Sequence, residues 1–404
     1  MTPDLAGRGI VVGVSGGIAA YKAADLVSRL VQAEARVRVV MTAHATQFVG
    51  PVTFQALSGE PVLTETFAAP EAYGMGHLSL AATAEALVLA PATANLLAKA
   101  AAGIADDLLS TTLLSVTCPI LWAPAMNQAM WRHPATRRSV ETLAAFGHHF
   151  VGPGAGWLAC RQSGEGRLAE VSEIVAELRR LLWRDRDLAG RRVLVSAGPT
   201  REHLDPVRFL SNPSSGRQGY AIAEAARLRG AEVTLVAGPT HLLPPVGVEL
   251  VPVVSAAEMA QAVLSRCAGA DLVIAAAAVG DYAPVQTADR KLPKGEGLTL
   301  NLAPTEDIIA AVAARRRPGQ VLVGFAAQTH DTLERAAAKL AAKGLDLIVA
   351  NDVSEAGAGF GGEGNHVWML DAGGGVEEVG PAGKDEIAHV VLGRAVRLLE
   401  AKPA

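Results

Sequence analysis

The stretch GIVVGVSGGIAAYK, residues 9–22, decides the fold. It opens with a continuous apolar run, the signature of a strand buried on both faces rather than one with a wet side. Three small residues follow, Ser15, Gly16 and Gly17, and then an amphipathic segment over 17–33. Strand, small-residue turn and helix in that order begin a doubly wound α/β domain. The pattern recurs. ARVRVVMT (35–42), ALVLAPAT (86–93) and PILWAPAM (119–126) read as strands, with helices expected over 94–115 and 130–146. Such alternation implies a parallel sheet with right-handed crossovers.

The composition shifts at LWRDRDLAGRR (182–192), a charged run, and a new series of buried strands starts directly after it. A domain boundary is therefore placed near residue 187, giving domains 1–187 and 188–404. In the second domain RRVLVSAG (191–198), AEVTLVAGP (231–239), DLVIAAAAVGDY (271–282), VLVGFAA (321–327) and LDLIVAND (345–352) read as strands, again with helices between. HVWMLDAGGGVEEV (366–379) reads as a hairpin and 384–401 as a closing helix. The expected architecture is thus two consecutive doubly wound parallel-sheet (Rossmann-like) α/β domains, without sequence self-similarity between them.

Bulk composition narrows the function. Half of the 404 residues are hydrophobic and only 4% aromatic, which suits helices packed on buried sheets. The net charge of −4 gives no long-range attraction to nucleic acid or an acidic membrane, and no apolar run is long enough to span a bilayer. The Gly-rich N-terminus does not read as a signal peptide. Cys118, Cys160 and Cys267 are far apart and odd in number, so neither a disulfide framework nor a zinc spacing is visible. A reducing cytoplasm is expected.

In doubly wound sheets ligands bind beyond the carboxyl ends of the strands, and the polar motifs of this sequence gather there. Ser15-Gly16-Gly17 at a helix start suits a phosphate, although two glycines fit a tight turn equally well. Thr93 and Asn95 can cap the next helix or bind a cofactor. APAMNQAMW (123–131) places Asn127 between methionines at the end of a buried strand. In the second domain SSGRQG (214–219) again offers small residues at a helix start. Asp281 ends a strand, and Lys291 and Lys294 share a loop. Lys339 and Lys343, four apart on one helix, form either an exposed stripe or a clamp for a polyphosphate.

The ordered set VSGGIAAYK, APATANLLAK, GIADDLLST, APAMNQAMW and ACRQSGEGRL, over roughly residues 8–180, resembles the flavin-dependent cysteine decarboxylase family. The resemblance implies a flavodoxin-like fold and FMN at Ser15, Gly16, Gly17, Thr42, Thr93 and Asn95, with Ser110 nearby. It also implies a trimer with its active site between subunits. Met126 and Asn127 would meet the substrate carboxylate. An asparagine amide donates hydrogen bonds without a cation's charge, which would hold back the departing CO₂ by stabilising the ground state. His77 falls on the family's active-site histidine. Cys160 matches its proton donor, in a Gly-rich segment that reads as a mobile lid with too few apolar residues for a packed strand. The implied chemistry is oxidation at the thiol-bearing carbon, loss of CO₂, and reduction and protonation of the resulting ene-thiolate.

Residues 190–402 resemble the CTP-using bacterial phosphopantothenate–cysteine ligases, through GPTREHLDPVRFLSNPSSGRQG, AAAVGDY, the loop lysines, GFAAQT and LIVANDV in order. The resemblance implies CTP contacts at Ala277, Asp281, Lys291, Asp307, Ile308, Phe325, Lys339 and Lys343, with Mg²⁺ accompanying the triphosphate rather than held in a protein cage. Arg208 is implied in substrate binding, Lys291 in forming an acyl-cytidylate, and Asn212 in the attack of cysteine's amine on it. Pro213 and Pro293 depart from the family pattern and stiffen the two loops. Together the halves point to two consecutive steps: CTP-dependent joining of 4′-phosphopantothenate to L-cysteine, then decarboxylation of 4′-phosphopantothenoylcysteine to 4′-phosphopantetheine, the C-terminal unit acting first. A homo-oligomer is expected, trimeric through the first domain and paired through the second, hence a dodecamer. A flavin prenyltransferase is the rival for the first half, but it predicts neither the Asn127 carboxylate site nor the Cys160 segment. A flavodoxin-like electron carrier is the non-enzyme rival, and it has no need of Lys291 together with Asn212.

Overall fold

The computed structural model describes residues 5–65, 76–157, 163–183, 185–294, 298–328, 330–352 and 364–402. The chain divides into two compact units, with the break between residues 184 and 185.

In the first unit the strands are β1 (Gly9–Val14), β2 (Arg36–Met41), β3 (Ala86–Ala92), β4 (Ile120–Pro124) and β5 (His149–Phe150). They form one parallel sheet in the order β2-β1-β3-β4-β5, the flavodoxin-like arrangement. β1 and β3 are buried along their whole length, because helices cover both faces. The helices are α1 (Ala20–Gln32), α2 (Pro51–Ser58), α3 (Gly76–Thr83), α4 (Ala94–Ala101), α5 (Leu108–Ser115), α6 (Gln128–Arg132), α7 (Pro134–Ala145) and α8 (Val171–Leu182). α1 buries Ala20, Ala23, Val27 and Leu30, the helical spacing that seats one stripe on the sheet.

Two expected helices each prove to be two. The 94–115 segment breaks where Gly103 takes φ +69°. α5 then starts afresh from Asp107, whose carboxylate accepts the Ser110 N–H at 2.8 Å. The 130–146 segment begins earlier, at Gln128, and breaks at His133, since Pro134 cannot continue a helix but opens one well. The segment around Cys160, residues 158–162, lies outside the described residues. Its flanks, β6 (Gly154–Trp157) and β7 (Ser163–Arg167), pair as an antiparallel ribbon apart from the main sheet. Poor in apolar side chains, the ribbon is held by backbone pairing instead of core burial.

The second unit has β8 (Arg192–Ala197), β9 (Arg201–His203), β10 (Phe209–Ser211), β11 (Glu232–Ala237), β12 (Glu249–Pro252), β13 (Leu272–Ala275), β14 (Tyr282–Pro284), β15 (Leu302–Pro304), β16 (Val321–Gln328), β17 (Leu347–Asp352), β18 (Gly364–Asp371) and β19 (Val376–Gly383). The main sheet runs β12-β11-β8-β13-β16-β17-β18-β19. Its first six strands are parallel in the Rossmann order, and the β18–β19 hairpin adds an antiparallel edge. α9 (Arg217–Leu228) and α13 (Lys384–Ala401) cover one face, and α10 (Ala256–Leu264), α11 (Ile308–Ala314) and α12 (Thr332–Ala342) the other. The strand expected over 271–282 stops at Ala275, so residues 276–281 are loop. Two small antiparallel pairs, β9–β10 and β14–β15, lie outside the sheet.

Candidate functional site

Each unit carries a cavity at the carboxyl ends of its parallel strands, beside the point where strand order reverses. That reversal splays the crossover loops apart and opens a crevice.

In the first unit the cavity measures about 920 Å³, ample for a cofactor. The ends of four strands build it. Ser15, Gly16 and Gly17 follow β1, Thr42 follows β2, Thr93 and Asn95 follow β3, and Met126 and Asn127 follow β4; all line the cavity. Ser15 donates to the Pro91 carbonyl at 2.7 Å and accepts the Thr93 N–H at 3.0 Å, which ties the β1 turn to the β3 turn. A Cβ on Gly16 would stand 2.3 Å from that of His44, so the turn closes only around glycine. At Gly17 a Cβ would meet nothing nearer than Thr93 Cγ2 at 3.5 Å. The N-cap of α1, Ala19, offers no side-chain cap; in the first turn the Ala20 and Lys22 N–H groups donate to the carbonyls of Gly17 at 2.9 Å and Ala19 at 3.0 Å.

Asn127 caps α6, its Oδ1 accepting the Ala129 N–H at 2.8 Å, which fixes the amide with its NH₂ as the donor end. The preceding Met126 N–H donates to the Gly166 carbonyl at 2.9 Å. A side chain on Gly166 would collide with the Met126 carbonyl at 2.2 Å. β7 is thereby seated on the Asn127 turn, and Gly166, Arg167 and Leu168 line the same cavity. Cys160 lies outside the described residues. His77 stands in the first turn of α3 with its side chain outside them. Ser110 does not line the cavity; it is buried, its Oγ accepting the Asp107 N–H at 3.0 Å. Sequence reasoning passed over Lys99 and Asp107, which do line it. Lys99 bonds Asp106 at 2.7 Å and Asp107 at 3.1 Å, and the Asp106 carboxylate foremost raises the ammonium's pKa. Burial alone would raise Asp107, but hydrogen bonds from Ser110 and Lys99 outweigh it and hold the carboxyl below its usual value.

In the second unit a cavity of about 550 Å³ brings together Asn212, Ala277, Asp281, Asp307, Ile308, Phe325, Lys339 and Lys343, which are scattered across the sequence. The N-terminus of α9 enters with Gly216 at φ +77° as its N-cap. Gly219 lets the helix close on β8, because a Cβ there would lie 2.5 Å from that of Ala197. Asn212 donates from Nδ2 to the carbonyls of Ala278 at 3.2 Å and Val279 at 3.1 Å. Its Oδ1 is thus the end left to accept. Asp307 caps α11 through Ala310 N–H at 3.2 Å and binds Lys343 at 2.8 Å. Lys339 donates to the Phe325 carbonyl at 3.4 Å; burial first, then the neighbouring Lys343 charge, lowers its pKa. The pair is therefore partly buried at the cavity wall, not an exposed stripe.

Lys291 and Arg208 do not line this cavity. Lys291 is exposed on the loop after β14, and Arg208 pairs with Asp205. Arg217, Asn351, Asn365 and Lys384 were not picked out from the sequence, yet they line the cavity. Asn351 sits at a strand's carboxyl end and was legible there. Lys384 arrives only because α13 packs back on α9. Among the described residues no three acidic, histidine or cysteine side chains gather to hold a metal, and no helix is long and apolar enough to cross a membrane.

The family described as DNA/pantothenate metabolism flavoprotein C-terminal domain matches residues 188–398, and the family described as flavoprotein matches residues 2–182. The coenzyme A biosynthesis bifunctional protein CoaBC of Bacillus subtilis is 47% identical over 389 residues, covering 95% of this chain and 96% of the relative. That of Mycobacterium tuberculosis is 50% identical over 377 residues, covering 89% and 90%. The crystal structure of the C-terminal domain of a coenzyme A biosynthesis bifunctional protein CoaBC aligns with a TM-score of 0.47 at 41% identity, covering 53% of this chain and 98% of that one. With relatives at this identity matching nearly end to end, the chain belongs to the family of bifunctional CoaBC proteins of coenzyme A biosynthesis.

Proposed function

We propose that the second unit joins 4′-phosphopantothenate to L-cysteine at the expense of CTP, and that the first unit, holding FMN, decarboxylates the product to 4′-phosphopantetheine. The protein is a bifunctional enzyme, a ligase and a decarboxylase, of coenzyme A biosynthesis. The single observation that carries the finer reading is the convergence of Asn212, Asp281, Asp307, Lys339 and Lys343 on one cavity.

In the ligase unit Lys339 and Lys343 receive the nucleotide's phosphates or ribose, and Asp281 is placed to read the base edge. Lys291 supplies positive charge where negative charge grows on the phosphate during acyl-cytidylate formation. Mg²⁺ comes with the triphosphate. Asn212, with its donors on the backbone, turns Oδ1 to the N–H of the attacking cysteine amine and aims its lone pair.

The first cavity suits FMN in size. The FMN phosphate sits at the β1–α1 turn, with Ser15, Thr42, Thr93 and Asn95 around it, and Gly17 leaves room for close approach. When bound, the flavin supplies two-electron redox chemistry at the thiol-bearing carbon. Asn127 holds the substrate carboxylate through its amide NH₂, without a charge that would oppose loss of CO₂. Cys160 delivers the final proton to the ene-thiolate, and His77 orients the substrate thiol. We further propose the trimer-and-pair dodecamer, with a cytoplasmic location.

Two variants of the full chain test this reading. Lys291→Ala abolishes CTP-dependent pyrophosphate release, yet leaves decarboxylation of supplied 4′-phosphopantothenoylcysteine within about twofold of normal. Cys160→Ser still releases CO₂ in a single turnover but stalls with bleached flavin and the unsaturated thiol, since a hydroxyl is a far weaker acid than a thiol. A normal rate of saturated thiol from Cys160→Ser, or equal loss of both activities in Lys291→Ala, would overturn the assignments.

A further inference from the structure

Among the described residues Asp205 is the most deeply buried carboxylate of the second unit, with none of its side chain exposed. It sits in the turn between β9 and β10, whose far end runs directly into Asn212. Its Oδ1 accepts the Val207 and Arg208 N–H groups, both at 2.8 Å, and shapes that turn. Its Oδ2 faces outward from the hairpin and accepts three more bonds, two from Arg208 (Nε at 2.9 Å, Nη2 at 2.6 Å) and one from the N–H of Leu292 at 3.1 Å. Arg208 Nη2 closes the circle by donating to the Leu292 carbonyl at 2.6 Å. One ion pair therefore grips both backbone polar groups of the residue that follows Lys291. The same loop is tied again to the hairpin upstream, Ala288 N–H to the Leu204 carbonyl at 3.0 Å and Thr287 Oγ1 to the His203 carbonyl at 3.0 Å.

The turn alone does not require this. Oδ1 and the two backbone bonds complete the turn, whereas Oδ2 and the arginine fork are directed at a loop more than eighty positions away. Burying a carboxylate is unfavourable unless its lone pairs are filled, and here the Lys291 loop fills part of them. These bonds together outweigh burial and hold the Asp205 carboxyl far below its usual value, so the grip persists across the working pH range.

We infer that Asp205 and Arg208 are positioning residues for the ligase reaction: they fix the Lys291 loop on the hairpin that carries Asn212, so that both groups are presented from one rigid piece. This rests on the reading of Lys291 as a ligase residue. It also gives Arg208 a role other than touching substrate.

The test uses the Lys291–Leu292 peptide bond itself, a trypsin site whose N–H is the one Asp205 holds. Cleavage needs that bond released, so its rate reports opening of the clamp. Asp205→Asn and Arg208→Lys in the full chain are compared with the parent protein by the initial rate of cutting at this bond, by kcat and KM for CTP-dependent pyrophosphate release, and by decarboxylation of supplied 4′-phosphopantothenoylcysteine. Arg208→Lys keeps the charge but loses the two-pronged grip. We expect cutting at least about tenfold faster in both variants, kcat for pyrophosphate release down about 10- to 100-fold with KM for CTP within about threefold, and decarboxylation unchanged. Unchanged cutting in both variants overturns the clamp. Faster cutting with an unchanged kcat overturns its part in catalysis. A raised KM for 4′-phosphopantothenate at constant kcat makes Arg208 a substrate ligand instead. If Lys291→Ala itself keeps normal pyrophosphate release, the reading of Lys291 fails, while the cutting rates still decide the clamp separately.

Discussion

Two lysines, one at each cavity, live in opposite electrostatic settings. Lys99 in the first unit is held by two carboxylates, Asp106 and Asp107, and its pKa is raised. Lys339 in the second lies partly buried beside another lysine, bonded to a backbone carbonyl, and its pKa is lowered. The first is already satisfied by the protein, and it braces the turn between α4 and α5 at the wall of its cavity. The second carries a charge disfavoured by burial and by the neighbouring Lys343, which Asp307 and Asp281 only partly offset; under the proposed function the nucleotide's phosphates would balance it. The contrast shows that a lysine facing a cavity is not by itself a ligand. Its partners decide, and an unfavourable charge kept in place is the sign of a site awaiting its counterion.

The sharpest break of this comparison is removal of each charge. Lys339→Ala should weaken CTP about thirtyfold, roughly 2 kcal/mol, measured by calorimetric titration of the full chain. Lys99→Ala should leave flavin content and CTP affinity within about twofold. Equal losses from the two variants would sink the distinction.

A second pair contrasts two adjacent glycines. Gly16→Ala should destabilise the first unit by about 1–3 kcal/mol, because its new methyl group meets His44 at 2.3 Å. Gly17→Ala meets only ordinary contact at 3.5 Å and should cost under about 1 kcal/mol by melting. If the flavin lies against this turn, Gly17→Ala is nonetheless folded and colourless. A yellow, fully loaded Gly17→Ala protein would move the flavin elsewhere.

The smallest effect is in pH. Lys339 has a folded-state pKa below its ordinary value, so between the two values the unfolded chain holds more protons and stability rises with pH. For Lys99 the folded value is raised, so its contribution is full below the ordinary lysine value and is lost as pH climbs through the raised one. Above about pH 9, Lys339→Met should steepen the decline of its unit's melting temperature by about 2 °C, and Lys99→Met should flatten that of the other. The same sign in both would refute the assigned surroundings.

The first cavity was largely legible because its motifs are contiguous. Each follows a strand whose apolar run marks where the strand ends, and a parallel sheet puts all carboxyl ends on one side. Ser15, Thr93 and Asn127 could thus be grouped before any coordinates, and the family resemblance added Thr42. Ser110 was placed near the flavin, but the capping geometry of Asp107 turns it inward. The helix breaks at Gly103 and at His133-Pro134 were written in residues with known habits, and were missed because apolar periodicity on either side ran through them. In the second unit Lys384 and Arg217 meet only through the packing of α13 on α9, for which no local pattern exists.

Taken alone, the sequence determined the two doubly wound units, the positions of the buried strands, and the residue types at each strand end, since period, burial and turn chemistry are local. Tertiary structure decided which side chains are already satisfied. Whether Lys99 or Lys339 is the lysine whose charge is only partly offset, and whether Arg208 faces a substrate or grips Leu292, depends on carboxylates and carbonyls brought in from elsewhere in the fold. Coulomb and hydrogen-bond energies follow distance in space, which residue spacing along the chain does not encode.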